Sequence, residues 1–149
     1  MKKFLVVLLV CVMFIPSAFA VDTNDFNIYA SVFGASEVNN GTESTNDNGN
    51  IVTQYYSDEC RIVFIEESGK TKSIAIVGQG DKFLAYCAAA IMVFDHISDN
   101  RTTNYGQLLS IYLLAIGDNS KEDHTGMTVS GSLMAMQNSG ESCRFIIVR

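Results

Sequence analysis

Residues 60–97 read CRIVFIEESGKTKSIAIVGQGDKFLAYCAAAIMVFDHI. Cys60 to Glu66 and Lys72 to Val77 are rich in Ile, Val and Phe, the composition of strands. Between them, Glu67-Ser68-Gly69-Lys70 supplies the glycine a tight turn needs, so the two runs predict a β-hairpin. At Gly80-Asp81 the period changes. Asp81 suits an N-cap, and a helix is expected from Lys82 to about Ile97. Phe83, Cys87, Ile91 and Phe94 recur at helical spacing, with Leu84, Ala88 and Met92 beside them. So wide an apolar arc predicts a largely buried helix.

Downstream, Asp99-Asn100-Arg101-Thr102 breaks the pattern. A second helix is expected from about Thr103 or Asn104 to Ile116, with Leu108, Leu109, Ile111, Tyr112 and Ile116 as its apolar set and Gly117 beyond its end. Asp118 to Gly126 reads as a polar loop. Met127 to Met136 and Cys143 to Val148 then predict a last hairpin, turned at Asn138-Ser139-Gly140-Glu141. Upstream, Phe26 to Phe33 alternates and predicts a strand. Asn39 to Asn50 is almost wholly polar and predicts a solvated loop. Ile51 to Tyr56 predicts another strand. The resulting order, ββββ-αα-ββ, indicates an α+β fold: a mainly antiparallel sheet with a helix pair packed on one face. The expected core joins Phe83, Cys87, Ile91 and Phe94 to Leu108, Leu109, Tyr112 and Ile116 over Ile62, Phe64, Ile74 and Ile76. Cys60-Arg61-Ile62-Val63-Phe64-Ile65 resembles Cys143-Arg144-Phe145-Ile146-Ile147-Val148, a hint of pseudo-symmetry between the two hairpins.

The first twenty residues have a different character. Lys2 and Lys3 precede an apolar run from Phe4 to Ile15, broken by Pro16 and Ser17. Ala18-Phe19-Ala20 then provides small residues at the cleavage positions of a secretory leader. Cleavage is expected after Ala20, leaving residues 21–149 as one secreted or periplasmic domain. The leader holds two of the 10 Lys and Arg and none of the 16 Asp and Glu, so its removal takes the formal net charge from −6 to −8. That acidity argues against nucleic acid and anionic membrane surfaces as partners. After the leader no apolar run reaches the length of a membrane span.

Chemistry-bearing residues are few. Cys60, Cys87 and Cys143 remain in the mature chain, in an oxidising compartment. Cys60 and Cys143 begin analogous strands and are the expected disulfide, with Cys87 a free, buried thiol on the first helix. His96 ends that helix, where its dipole favours a histidine. His124 lies in Glu122-Asp123-His124, too sparse a set for a metal site. Ser130-Gly131-Ser132 has no nucleophile-elbow context. Gly78-Gln79-Gly80-Asp81 lacks the remaining residues of a phosphate loop. No catalytic residue, metal ligand set or cofactor is expected.

Three functions fit. The first is a non-catalytic binding or structural module of the cell envelope or secreted fraction, whose partner is a protein or envelope component. The second is a small secreted enzyme inhibitor. The third is an enzyme with an unrecognised Cys/His site. For a binding module, the expected surface is the sheet face away from the helices, or the loops 39–50 and 118–126. Tyr55, Tyr56 and Arg61 are the expected contacts, because Tyr and Arg concentrate binding energy.

Overall fold

Helix formation begins earlier than the alternation of residues 26–33 suggests. The computed structural model describes residues 22–95, 101–118 and 121–149. It makes Thr23–Val32 an α-helix, α1, and this corrects the expected strand Phe26 to Phe33. The signals lie at its two ends. Asp22 is the N-cap, and its carboxylate accepts from the Asn24 N–H at 2.9 Å. Gly34, at φ +85°, follows the helix. There Gly34 N–H donates to Ser31 O and Ala35 N–H to Ala30 O, the paired bonds of a Schellman close. Phe26, Asn27 and Ala30 are buried, at helical spacing. Ile28 and Val32, which a strand would have placed with Phe26, are 60% and 72% exposed. Asn27 fastens the chain beyond the helix: its Nδ2 donates to Val38 O and its Oδ1 accepts from Val38 N–H.

Four strands follow: β1 (Thr42–Thr45), β2 (Ile51–Ser57), β3 (Cys60–Glu67) and β4 (Lys70–Gly78). The β3–β4 hairpin is the expected one, turned by Ser68 and Gly69, both at positive φ. Asp58 and Glu59 turn β2 into β3 the same way without a glycine. Then come helices α2 (Gly80–Phe94) and α3 (Arg101–Gly117). Gln79 rather than Asp81 caps α2, and Asp81 lies in its first turn, where a carboxylate suits the helix dipole. The chain ends in β5 (His124–Met127), β6 (Leu133–Asn138) and β7 (Cys143–Val148). The expected single strand 127–136 is thus two pieces, bent between Thr128 and Ser132.

The fold is α+β. One seven-stranded antiparallel sheet has the order β1-β2-β3-β4-β7-β6-β5, with β4 in the centre, and the helices pack on one face. The two short edge strands come from segments expected to be loops, Asn39 to Asn50 and Asp118 to Gly126. Their side chains are polar or exposed, so they carry no core-facing alternation to read.

The core lies between the helices and the inner sheet face. Ile62, Ile74, Ile76, Phe145 and Ile147 are fully enclosed, as are Phe83, Cys87 and Ile91 of α2. Phe26 meets Phe64 edge-on at 5.2 Å and stacks on Tyr86 at 6.0 Å. On α3 the expected set is corrected. Asn104, Leu108, Ile111 and Ala115 face inward, whereas Leu109 and Ile116 are 50% and 45% exposed. Asp95, at the end of α2, is buried. Its Oδ2 accepts from Asn104 Nδ2 at 2.6 Å, and Asn104 Oδ1 accepts from Val129 N–H at 2.9 Å. That relay ties α2 to α3 and to the β5–β6 bend. Residues 1–21, and with them the leader and its cleavage site, lie outside the described residues, as do His96 and the expected last turn of α2. No helix among the described residues is long and apolar enough to cross a membrane.

The helical reading of residues 23–32 separates two positions that a strand would treat alike. Phe26→Ala should cost roughly 3–5 kcal/mol in denaturant unfolding. Ile28→Ala should change stability by no more than about 0.5 kcal/mol. Equal losses at the two positions would restore the strand.

Candidate binding face

Strand alternation sends every second residue of the sheet away from the helices. The register gathers these side chains into rows running across the strands. One row contains Val52, Ile65, Ser73, Val148, Leu133 and Met127. The next contains Gln54, Val63, Ala75, Ile146 and Ala135. A third runs Tyr56, Arg61, Val77, Arg144, Gln137. Apolar side chains make up most of the first two rows, with Ser44, Ser73, Thr42, Gln54 and Thr125 among them, and none of the described helices lies over them. Met127 is 57% exposed and Leu133 48%. From strand spacing and rise, the footprint is on the order of 500 Å². A patch of that size on a monomer is commonly a contact surface.

The third row bears the charge. Tyr56 is 70% exposed and sits directly opposite Arg61. Arg61 Nε and Nη2 both donate to Gln54 Oε1, at 3.0 and 2.6 Å, which draws the guanidinium toward β2. Arg144 occupies the same height on β7, with Val77 of β4 between the two arginines. Neither arginine pairs with a carboxylate among the described residues. At the opposite end of the strands, Glu67 and Lys72 neutralise each other at 3.0 Å.

The structure divides the three expected contacts. Tyr56 and Arg61 meet on the outer face. Tyr55 points the other way, half-buried, with its ring edge-on to Phe64 at 5.5 Å and its hydroxyl 3.3 Å from Thr23 Oγ1. Sequence reasoning missed Arg144. Its signal was the match between residues 60–65 and 143–148, which flank β4 at equal heights across the sheet: Arg61 and Arg144 both pair with Val77. A second signal was the continuous apolar run through β3 and β7. A sheet meant to face water on one side alternates; one covered on both sides does not.

The cysteines cluster at the same end of the sheet, on the inner face. The expected Cys60–Cys143 disulfide is not made, and Cys60, Cys87 and Cys143 are all free and buried. Cys143 pairs with Gly78 of β4, and Cys60, next to the Arg61–Val77 pair, lies against Gly78 from the other side, so two strand spacings separate the cysteines. Their Cα atoms are therefore about 10 Å apart, beyond a disulfide's reach without backbone movement. Gly78 is required there, since a Cβ would lie 2.5 Å from Cys60 Sγ. Burial pushes all three thiols up, Cys87 furthest, with the neighbouring thiols adding to the effect. They are protonated and weakly nucleophilic at neutral pH.

Several other polar groups have structural partners. His124 Nε2 lies 3.2 Å from Asp118 Oδ2. Among the described residues no three His, Cys, Asp or Glu side chains converge on a metal-sized site. Asp58 Oδ2 accepts from Ser36 N–H, a bond that holds its carboxyl below the usual range. Tyr86, pushed up to about 12 by burial, remains a phenol with its oxygen 2.8 Å from Ser36 O and 3.0 Å from Asp58 Oδ2. A shallow apolar hollow of about 310 Å³ lies between Phe33, Leu84, Ala88, Tyr105 and Leu108. Two further clefts, of about 480 and 490 Å³, open at the end of the sheet, one lined by Cys143 and Glu141 and the other by Cys60, Arg61 and Tyr56. No family model, curated protein or solved structure matches this chain.

Two outcomes follow from the cysteine geometry. Ellman titration of unfolded, unreduced protein lacking its leader should find three thiols; one would re-establish the Cys60–Cys143 bond. Gly78→Ala should destabilise the fold by about 1–3 kcal/mol through overpacking. Adding Cys60→Ala, which removes the Sγ, should recover part of that loss in equilibrium unfolding.

Proposed function

We propose that this chain is an exported, non-catalytic binding module of the cell envelope or secreted fraction, docking a protein or envelope component on the open face of its sheet. One observation supports the reading: the face away from the described helices carries two largely apolar rows, with Met127, Leu133 and Val148 exposed and Val63, Ala75 and Ile146 half-buried. Apolar area left in water is unfavourable, and burial against a partner recovers that free energy. Tyr56 and Arg61 border the patch and are side chains suited to anchor a contact. The short edge strands β1 and β5 offer little backbone to an added strand, which favours the face over the edges.

The alternative of a Cys/His enzyme has less support. Cys87 is fully enclosed in the core, and His124 Nε2 lies against Asp118 Oδ2 at 3.2 Å. The alternative of a small enzyme inhibitor uses the same face with an enzyme as partner, and crosslinking identifies that case directly.

A photo-crosslinking residue at Ala75, in the centre of the open face, should yield protein adducts when the exported chain is expressed in its own host. The same residue at Leu113 on α3 should yield few. Equal adducts at both positions, or turnover of a hydrolase substrate abolished by changing Cys87 or His124, would overturn the proposal.

A further inference from the structure

Arg61 and Arg144 are the only charged side chains within the three rows of the open face, in a chain whose formal net charge is −6. We propose that the open face is built for an acidic protein surface: an apolar patch carrying two carboxylates about 10 Å apart, one for each arginine. This rests on the binding-module reading above and names the chemistry of the partner.

Charge complementarity selects the partner. Both guanidiniums stand in one row, separated by Val77, and no described carboxylate neutralises either. Gln54 orients Arg61 through two hydrogen bonds without altering its charge. A guanidinium so held presents its remaining donors to a carboxylate in a fixed direction. Covering this face with an uncharged surface would bury two unpaired arginines beside the apolar rows, which is costly. A basic partner would add repulsion to that cost. Carboxylates opposite Arg61 and Arg144 satisfy both charges while the rows of Val63, Ile146 and Val148 are buried.

A second copy of this chain fits less well. A two-fold axis along β4 would set Arg61 of one copy against Arg144 of the other. A two-fold axis across the strands would set the arginine row against Ile65 and Val148, again without a carboxylate. An anionic bilayer is a continuous sheet of charge that meets the whole acidic chain, whereas a partner carrying two carboxylates places its charge only against the arginine row.

The test uses the whole exported chain and stapled helical peptides of one apolar sequence. They carry either two glutamates or two lysines seven positions apart, about 10 Å along the helix. In NMR titrations at low salt, the glutamate peptide should bind at least about tenfold more tightly than the lysine peptide. It should shift the resonances of Tyr56, Val63, Ala75 and Ile146. Arg61→Glu/Arg144→Glu should reverse the preference while the melting temperature changes by only a few degrees, and Arg61→Lys/Arg144→Lys should keep its sign. Binding at the open face without charge preference would overturn the acidic partner and leave the docking face standing. Shifts confined to the helices would overturn both. A concentration-dependent dimer in sedimentation, abolished by Val63→Lys/Ile146→Lys, would assign the face to a second copy instead. Preferential binding to phosphatidylglycerol vesicles would assign it to a membrane.

Discussion

Helix α2 has almost no polar face to offer to water. Eleven of its fifteen residues are buried, so the helix must be enclosed on nearly every side. The sheet lies beneath it, α1 flanks it through the stack of Phe26 on Tyr86, and α3 flanks it through Phe83 and Tyr112. The ends are fastened by polar bonds. Tyr86 reaches Ser36 and Asp58, and Asp95 reaches Asn104. Arg149 bonds Phe94 O and lies over the Phe94 ring. All three described helices are thereby committed to one side of the sheet. The exposed second face is the direct consequence.

Much of the interior could be read from residue types alone. The Ser68–Gly69 turn, the burial of α2 and the inward set of β3 and β4 follow from local chemistry. Phe26 to Phe33 misled because its apolar residues fit both periods. The cap at Asp22 and the glycine at 34 decided the matter, and neither depends on hydrophobic pattern. On α3, Leu108, Leu109, Ile111, Tyr112, Leu113, Leu114 and Ile116 surround the axis, so the sequence sets no phase. The inward face was chosen by contact with α2 and the bent β5–β6 segment.

The binding face was partly legible. Tyr56 and Arg61 stand out by type, but which tyrosine of the pair faces outward depends on register. Arg144 lies more than eighty residues from Arg61 in the chain and becomes its neighbour only because β7 docks on β4. The disulfide expectation failed for the same reason. Matching positions in two hairpins implied proximity, and the intervening central strand both aligns the two cysteines and keeps them apart.

The seam between β4 and β7 has a kinetic meaning too. Every other strand pairing joins segments close in sequence, and hairpins of that kind close within microseconds. The seam pairs Gly78 with Cys143 and Ser73 with Val148, segments separated by more than sixty residues that include α2 and α3. Loop-closure entropy is lost there before any contact compensates for it. Completion of the sheet is therefore the late step of folding. A chain that crosses a membrane unfolded and amino-terminus first would present its β1–β4 meander on the far side, with the edge of β4 unpaired, until β7 arrived to close it.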